Sequence, residues 1–228
     1  MRLRIMERDK LMRHGVFLGA LALAAVVVGV NSVFDFAPAS AEETTQTRAI
    51  APFTHIEAAG AMDITIRAGE DQRVAVTTAR DRLADVTTTV EDATLVIEME
   101  KGSWRRTGLS VDIAMDRLDG LVISGAADIE ATGVDSDELE LVVNGAGDVT
   151  VSGACGTARV TVNGAGDLRA RRLECRSATV VVRGAGDAVV YASRSVDVNI
   201  AGVGSVDVYG KPDQVERTIA GLGDLEVK

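Results

Sequence analysis

The chain has 228 residues, only 3% of them are aromatic, and its formal net charge is −10. An acidic balance argues against nucleic acid as a partner, because phosphate binding requires a face rich in lysine and arginine. The scarcity of rings is unusual for a globular enzyme and favours a thin core of small and β-branched residues with many tight turns.

The first 41 residues have the composition of an export signal. A basic start precedes an uncharged, mostly apolar run over residues 15–30. Ala39 and Ala41 match the small-residue positions of an A-x-A cleavage site, so we predict an apolar signal peptide over 1–41 that is removed before Glu42. The alternative is an uncleaved anchor, through which alone the protein would contact a membrane. Export would place the protein in the periplasm, on the cell surface or outside the cell.

The next part of the chain is predicted to be a linker followed by strands. Residues 42–52, EETTQTRAIAP, are expected to form a short polar linker. Alternation of apolar and polar residues then predicts strands at 62–69, 73–78, 94–100 and 109–115. We therefore predict that residues 53–124 form a cap and the first coils of a domain that extends from 53 to 228.

Residues 125–228 repeat a G-x-x-D motif, with Ser205 replacing the aspartate once. The motif begins at intervals of 20, 19, 20, 18 and 19 residues, at Gly125, Gly145, Gly164, Gly184, Gly202 and Gly221. Between these glycines the alternation predicts two short strands, each with one buried face. One unit cannot bury enough apolar surface to offset its ordering entropy, so the units must stack. The fold class predicted is all-β, a parallel β-solenoid of about 19-residue coils.

The repeated corners are predicted to be structural. Glycine permits a positive φ at a sharp corner and leaves room for close stacking, and aspartate accepts hydrogen bonds from N–H groups of the turn. Asn144 and Asn163 hold matching positions and are expected to form an amide ladder. The corner pairs are Gly125 and Asp128, Gly145 and Asp148, Gly164 and Asp167, Gly184 and Asp187, and Gly221 and Asp224.

The aspartate column has two chemical alternatives. Stacked carboxylates are suitable ligands for Ca²⁺, but the repeat is twice as long as the nine-residue repeat of calcium-binding β-rolls. Neighbouring carboxylates also occur in glycosidases, but catalysis needs two carboxylates in different environments, which a row of equivalent aspartates does not offer. We therefore expect no catalytic residue, metal ligand or cofactor, with Ca²⁺ as the alternative.

Four other residues stand out. His55 is the only histidine after residue 41, which argues against a histidine-based triad or a multi-histidine metal site, and we expect it at an exposed strand edge. Cys155 and Cys175 each lie nine residues before a corner glycine, so they occupy the same turn of adjacent coils. Outside the cytoplasm they would either form a disulfide or remain two small turn residues. Arg217 interrupts an inward column and is expected to face solvent or to guard the end of the array.

The chain resembles the bacterial family called putative auto-transporter adhesin, head GIN domain. The resemblance covers about residues 53–228 and rests on four motifs: FTHIEAAGAMDITIRAG, VEDATLVIEM, LDGLVISGAADIEATG and the repeated NGAGD corners. It implies an exported β-solenoid domain with an adhesive role, and it supplies no catalytic residues.

These observations favour an exported, non-enzymatic binding or structural module of the cell envelope. Thr161, Val181 and Asn199 lie in one outward column, which we predict to be the binding face for an envelope component, a surface glycan or a protein. The alternative is a β-helical enzyme, a hydrolase or lyase that acts on polysaccharide.

Overall fold

The computed structural model describes residues 42–99 and 108–228, so the predicted signal peptide over 1–41 lies outside the described residues. Within them the chain forms strands and one short 3₁₀ helix, Arg80–Asp85, and no helix there is long and apolar enough to cross a membrane. The strands are β1 Glu43–Arg48, β2 His55–Gly60, β3 Asp63–Ala68, β4 Arg73–Ala79, β5 Val86–Glu91, β6 Thr94–Met99, β7 Ser110–Met115, β8 Gly120–Gly125, β9 Asp128–Gly145, β10 Val149–Gly164, β11 Leu168–Gly184, β12 Ala188–Gly202, β13 Ser205–Tyr209, β14 Gln214–Gly221 and β15 Asp224–Val227.

The repeat region is a parallel ladder, as the sequence predicts. β9, β10, β11 and β12 pair in that order and in parallel, and β12 then pairs with β13 and β14. The register follows the repeat, because Val160 lies beside Leu141 on one side and Val180 on the other. Each strand therefore forms one coil of a β-solenoid.

The coils differ from the prediction in one respect. The sequence predicts two separate strands per unit, whereas β9 to β12 each run without a break around most of the coil. The ladder bends at register shifts instead, for example between Val151 and Gly153. Gly153 has a φ of +140° there. A bulge of this kind bends a strand without ending its pairing.

The core consists of columns of inward side chains, one residue from each coil. Leu141, Val160, Val180 and Val198 form one such column and are at most 1% exposed. Arg217 continues this column on β14 and is exposed, one of the two outcomes expected for it. β14 pairs only with β12, and all of its residues are exposed. Burial in the core therefore requires a neighbouring coil on each side.

The N-terminal region combines first coils with an antiparallel cap. β2 and β3 pair in parallel with β8 and β9 and so extend the ladder. The pairs β1–β4, β4–β7 and β5–β6 are antiparallel. The predicted linker over 42–52 is wrong in part, because β1 lies within it. Thr45 and Thr77 share a hydroxyl hydrogen bond of 2.7 Å, and Arg48 donates to the carbonyl oxygen of Leu83 at 3.1 Å.

Candidate functional site

The corner glycines form one continuous column along the solenoid. The register joins seven glycines: Gly60, Gly125, Gly145, Gly164, Gly184, Gly202 and Gly221. Gly164 has a φ of +136°, and a Cβ added to it would collide with the carbonyl oxygen of Gly145. This corner therefore requires glycine for both its backbone conformation and its close approach to the preceding coil.

The corner aspartates bond to the next coil. The backbone N–H groups of Asp148 and Asp187 donate to Oδ1 of Asp128 and Asp167, each at 3.3 Å. At the one serine corner, Ser205 donates to Asp187 Oδ1 from its N–H at 2.8 Å and from its hydroxyl at 2.6 Å. These hydrogen bonds hold the pKa of Asp187 below its usual range against the opposing effect of desolvation.

The predicted binding column lies on the outer surface of the coils. Thr161 and Val181 are half-buried, and Asn199 is exposed. They are register neighbours, with Val142 before them and Thr218 after them. The structure therefore brings the three predicted residues into one row.

The row is flanked by the predicted amide ladder. Asn163 Nδ2 donates to Asn144 Oδ1 at 2.8 Å, and Arg183 Nη1 donates to Asn163 Oδ1 at 3.4 Å. The face thus offers uncharged side chains along its centre and hydrogen-bonding groups beside them.

The two cysteines are joined across adjacent coils. The sulfur atoms of Cys155 and Cys175 are 2.01 Å apart and the Cα atoms 4.5 Å apart. Both side chains are buried, so the disulfide lies inside the turn rather than on its surface.

His55 lies in a polar pocket rather than at an exposed edge. β2 pairs on both sides, with β6 and β8, and the imidazole is half-buried because it packs over Gly120, where a side chain would collide with it. Its Nδ1 is 2.9 Å from Thr54 Oγ1. The pocket has a volume of 440 Å³ and is lined by His55, Arg117, Asp119, Asp137, Glu138, Glu140 and Arg159.

Asp119 is the most strongly held carboxylate of this pocket. Burial raises its pKa, but hydrogen bonds from Ser136 and Arg117 outweigh that effect and hold the pKa below its usual range. Ser136 Oγ donates to Asp119 Oδ1 at 2.6 Å, and Arg117 Nη2 lies 2.7 Å from Oδ2. Both carboxylate oxygens of Asp119 already accept hydrogen bonds, and its pKa is low. Asp119 is therefore suited to a structural role and not to acid–base catalysis.

A second polar groove lies around the next corner and shares Asp137 and Glu138 with this pocket. It has a volume of 310 Å³ and contains two guanidinium groups, those of Arg176 and Arg194. This groove is not among the sites predicted from the sequence. The signal that could have revealed it is the density of arginine in LRARRLECRSATVVVRG.

A larger and mostly apolar pocket of 620 Å³ lies near the start of the glycine column. Its lining includes Ala59, Ala61, Met99 and Ala126. Among the residues that the structure describes, the lining contains no basic side chain. Among the residues described, no group of three or more histidine, cysteine, aspartate or glutamate side chains could hold a metal ion.

Comparison with known proteins agrees with this architecture. The family model described as putative auto-transporter adhesin, head GIN domain, matches residues 52–212. A putative adhesin from Bacteroides fragilis has a similar fold, with a TM-score of 0.68 and 21% identity over 83% of this chain and 98% of that chain. A putative adhesin from Parabacteroides merdae has a TM-score of 0.52 and 16% identity over 83% and 97% of the two chains. No curated protein matches.

The family match spans far more than half of the chain, including the first coils and the regular corners. This protein therefore belongs to the putative auto-transporter adhesin, head GIN domain, family.

Proposed function

We propose that the protein is an exported, non-enzymatic binding module that gives the cell envelope an adhesive surface. The observation that carries this proposal is the straight outward row through Val142, Thr161, Val181 and Asn199, one residue from each coil. Adjacent strands lie about 4.8 Å apart, so the row presents uncharged side chains at a fixed interval. A repetitive envelope component, such as a surface glycan or a protein, can then bind through many weak contacts.

The chemistry of the face suits such binding. Its central side chains carry no charge, so covering them costs little desolvation. The Asn144–Asn163 ladder adds donors and acceptors along one side. Membership of an adhesin family supports the same role and a location at or outside the cell surface.

The enzymatic alternative has less support. The corner aspartates of neighbouring coils accept hydrogen bonds from the next coil. Those carboxylates therefore already serve in the scaffold, and neither a cofactor nor a metal ion is needed for the role proposed.

The test is binding of residues 42–228 to intact cells and to an isolated envelope fraction. The variant T161A/V181A/N199A should reduce bound protein by about tenfold, because several contacts of the row are lost together. The control T150A/V189A makes the same threonine and valine truncations on the first segment of the coils, where both residues are also half-buried. Equal binding by all three proteins would overturn the proposed face. Release of reducing ends from neutral or uronate glycans would overturn the non-enzymatic role.

A further inference from the structure

One strand of this acidic protein is strongly basic. β11 carries five arginines and one glutamate, a balance of 5 − 1 = +4. β9 carries six acidic residues and no basic residue. The two strands are separated by β10 alone, so opposite charges are separated by about 10 Å along the solenoid. The overall negative charge therefore conceals a local basic region.

Three of these arginines have partners within the protein. Arg169 lies 3.2 Å from Asp148 and 3.1 Å from Asp167. The guanidinium of Arg171 lies over the Tyr209 ring at 4.2 Å from its centroid. Arg183 donates to an asparagine of the amide ladder. Their charges and donors are used in contacts between coils.

Arg172, the fourth arginine, is exposed and does not line the groove. Arg176, the fifth, and Arg194 on β12 differ from the three partnered arginines. Both are exposed, and within residues 42–99 and 108–228 neither forms an ion pair or a side-chain hydrogen bond. Both line the groove of 310 Å³. The groove also contains the carboxylates of Asp137 and Glu138, but Glu138 is paired with Arg159. The donors of both guanidinium groups are therefore available to an anion that lies between them.

The other walls of the groove supply hydroxyl groups and space. Ser195 Oγ donates to Ser177 Oγ at 2.9 Å. This leaves the hydroxyl hydrogen of Ser177 free to donate to a ligand. Gly156 has no side chain, and an added Cβ would lie 3.5 Å from Nη2 of Arg176. The guanidinium therefore extends across the groove floor over this glycine.

The backbone beneath the groove is fixed by the disulfide. Gly156 directly follows Cys155, and Arg176 directly follows Cys175. The cross-link holds these two coils at the point from which the groove residues project. A site on such a support needs little reorganisation to bind its ligand.

We propose that this groove binds an acidic sugar unit of a glycan. Its carboxylate or sulfate group would lie between Arg176 and Arg194 and accept a hydrogen bond from Ser177, since guanidinium groups bind oxyanions through paired donors. Asp137 also lines the groove and would accept hydrogen bonds from ring hydroxyls. Inorganic polyphosphate, whose inner units have no hydroxyl groups, would meet only repulsion at this carboxylate.

Binding of an oligogalacturonate, which carries a carboxylate on every ring, tests the proposal by calorimetry on residues 42–228. The variant R176A/R194A should weaken binding by about tenfold or more, because two charge-assisted contacts are lost. The control R73A/R217A removes the same charge from exposed residues elsewhere and should weaken binding much less. Equal weakening by the two variants would overturn the site.

A variant of Asp137 distinguishes recognition of a sugar from simple attraction between the arginines and a negative charge. D137N should weaken oligogalacturonate binding, because a charged acceptor for ring hydroxyls is replaced by the weaker, neutral carbonyl oxygen of an amide. If the groove attracts only negative charge, the same variant should bind more tightly, and that result would overturn the proposal. Inorganic polyphosphate binding as tightly as oligogalacturonate would overturn it as well.

A sulfated dextran and an uncharged dextran complete the experiment. Binding of the sulfated polymer but not of oligogalacturonate, lost in R176A/R194A, would identify sulfate as the anionic group. Binding of uncharged dextran with the same affinity would contradict the role of the arginines. T161A/V181A/N199A should leave oligogalacturonate binding unchanged, so failure of the proposed adhesive face and failure of this groove are distinguishable.

Discussion

At the scale of single residues, the glycine corner sets the spacing of the coils. Gly164→Ala should destabilise the protein by about 2–3 kcal/mol, because an alanine there combines a strained backbone with a collision against the preceding coil. Urea unfolding measures the free energy of unfolding of the variant and of the wild type.

Gly69 provides a matched control. Its φ of +83° is also unfavourable for alanine, but nothing lies within 4 Å of an added Cβ. Gly69→Ala should therefore lower the free energy of unfolding by only about 1 kcal/mol, which is the contribution of the strained backbone without a collision. Losses of equal size in the two variants would show that close stacking at the corner contributes nothing.

The buried contact between Ser136 and Asp119 gives a pH-dependent prediction. The Asp119 side chain is 18% exposed, and its folded-state pKa is depressed. Its stabilisation is therefore present above the unfolded pKa of about 4 and is lost as the pH falls through the folded pKa. Ser136→Ala should lower stability at pH 7 by about 1–2 kcal/mol, and the difference should shrink as the pH falls below about 4.

A carboxyl NMR titration checks the cause. The Asp119 pKa should rise in Ser136→Ala, because a hydrogen bond to the carboxylate is removed. The Ser152 hydroxyl donates to the carbonyl oxygen of Ala131 at 3.5 Å, so Ser152→Ala should leave the Asp119 pKa in place. An unchanged Asp119 pKa in both variants would contradict the assignment.

At the scale of the strand, neighbouring coils determine how much each side chain contributes. Ile200 and Ile219 are register neighbours in one inward column, but Ile200 is 0% exposed and Ile219 is 39% exposed. Ile200→Ala should lower the free energy of unfolding by about 3–4 kcal/mol, because it leaves a cavity in the core. Ile219→Ala should lower it by about 1 kcal/mol, because that side chain is partly exposed. Thermal unfolding of the two variants makes the comparison. Similar losses would mean that the last coil is covered in solution.

The strands of the repeat could be predicted from the sequence, whereas the cap could not. A fixed period and strict alternation leave one way to stack Leu141, Val160 and Val180, and the structure confirms it. β1 carries threonine and charged residues without large apolar side chains, so nothing local distinguishes ETTQTR from a linker. Its partner β4 lies about 30 residues further along the chain, and only the folded structure brings the two together.

At the scale of the molecule, the candidate sites differ in how far the sequence predicts them. The outward row follows from the repeat, because residues one period apart must be neighbours. The groove depends on which arginines find partners, and that depends on the register shift between Cys175 and Ser177. The arginine content of β11 is visible in the sequence, but the lack of partners for Arg176 and Arg194 becomes apparent only in three dimensions.

On the account given above, the solenoid is a rigid ladder that presents one straight row of side chains. Val122 and Thr218 lie in this row five coils apart. Spin labels at these two positions should give a narrow distance distribution centred at about 24 Å, because the positions are separated by five strand spacings of about 4.8 Å each. A broad distribution, or a mean displaced by more than the length of the labels, would contradict the rigid ladder and the binding face that depends on it.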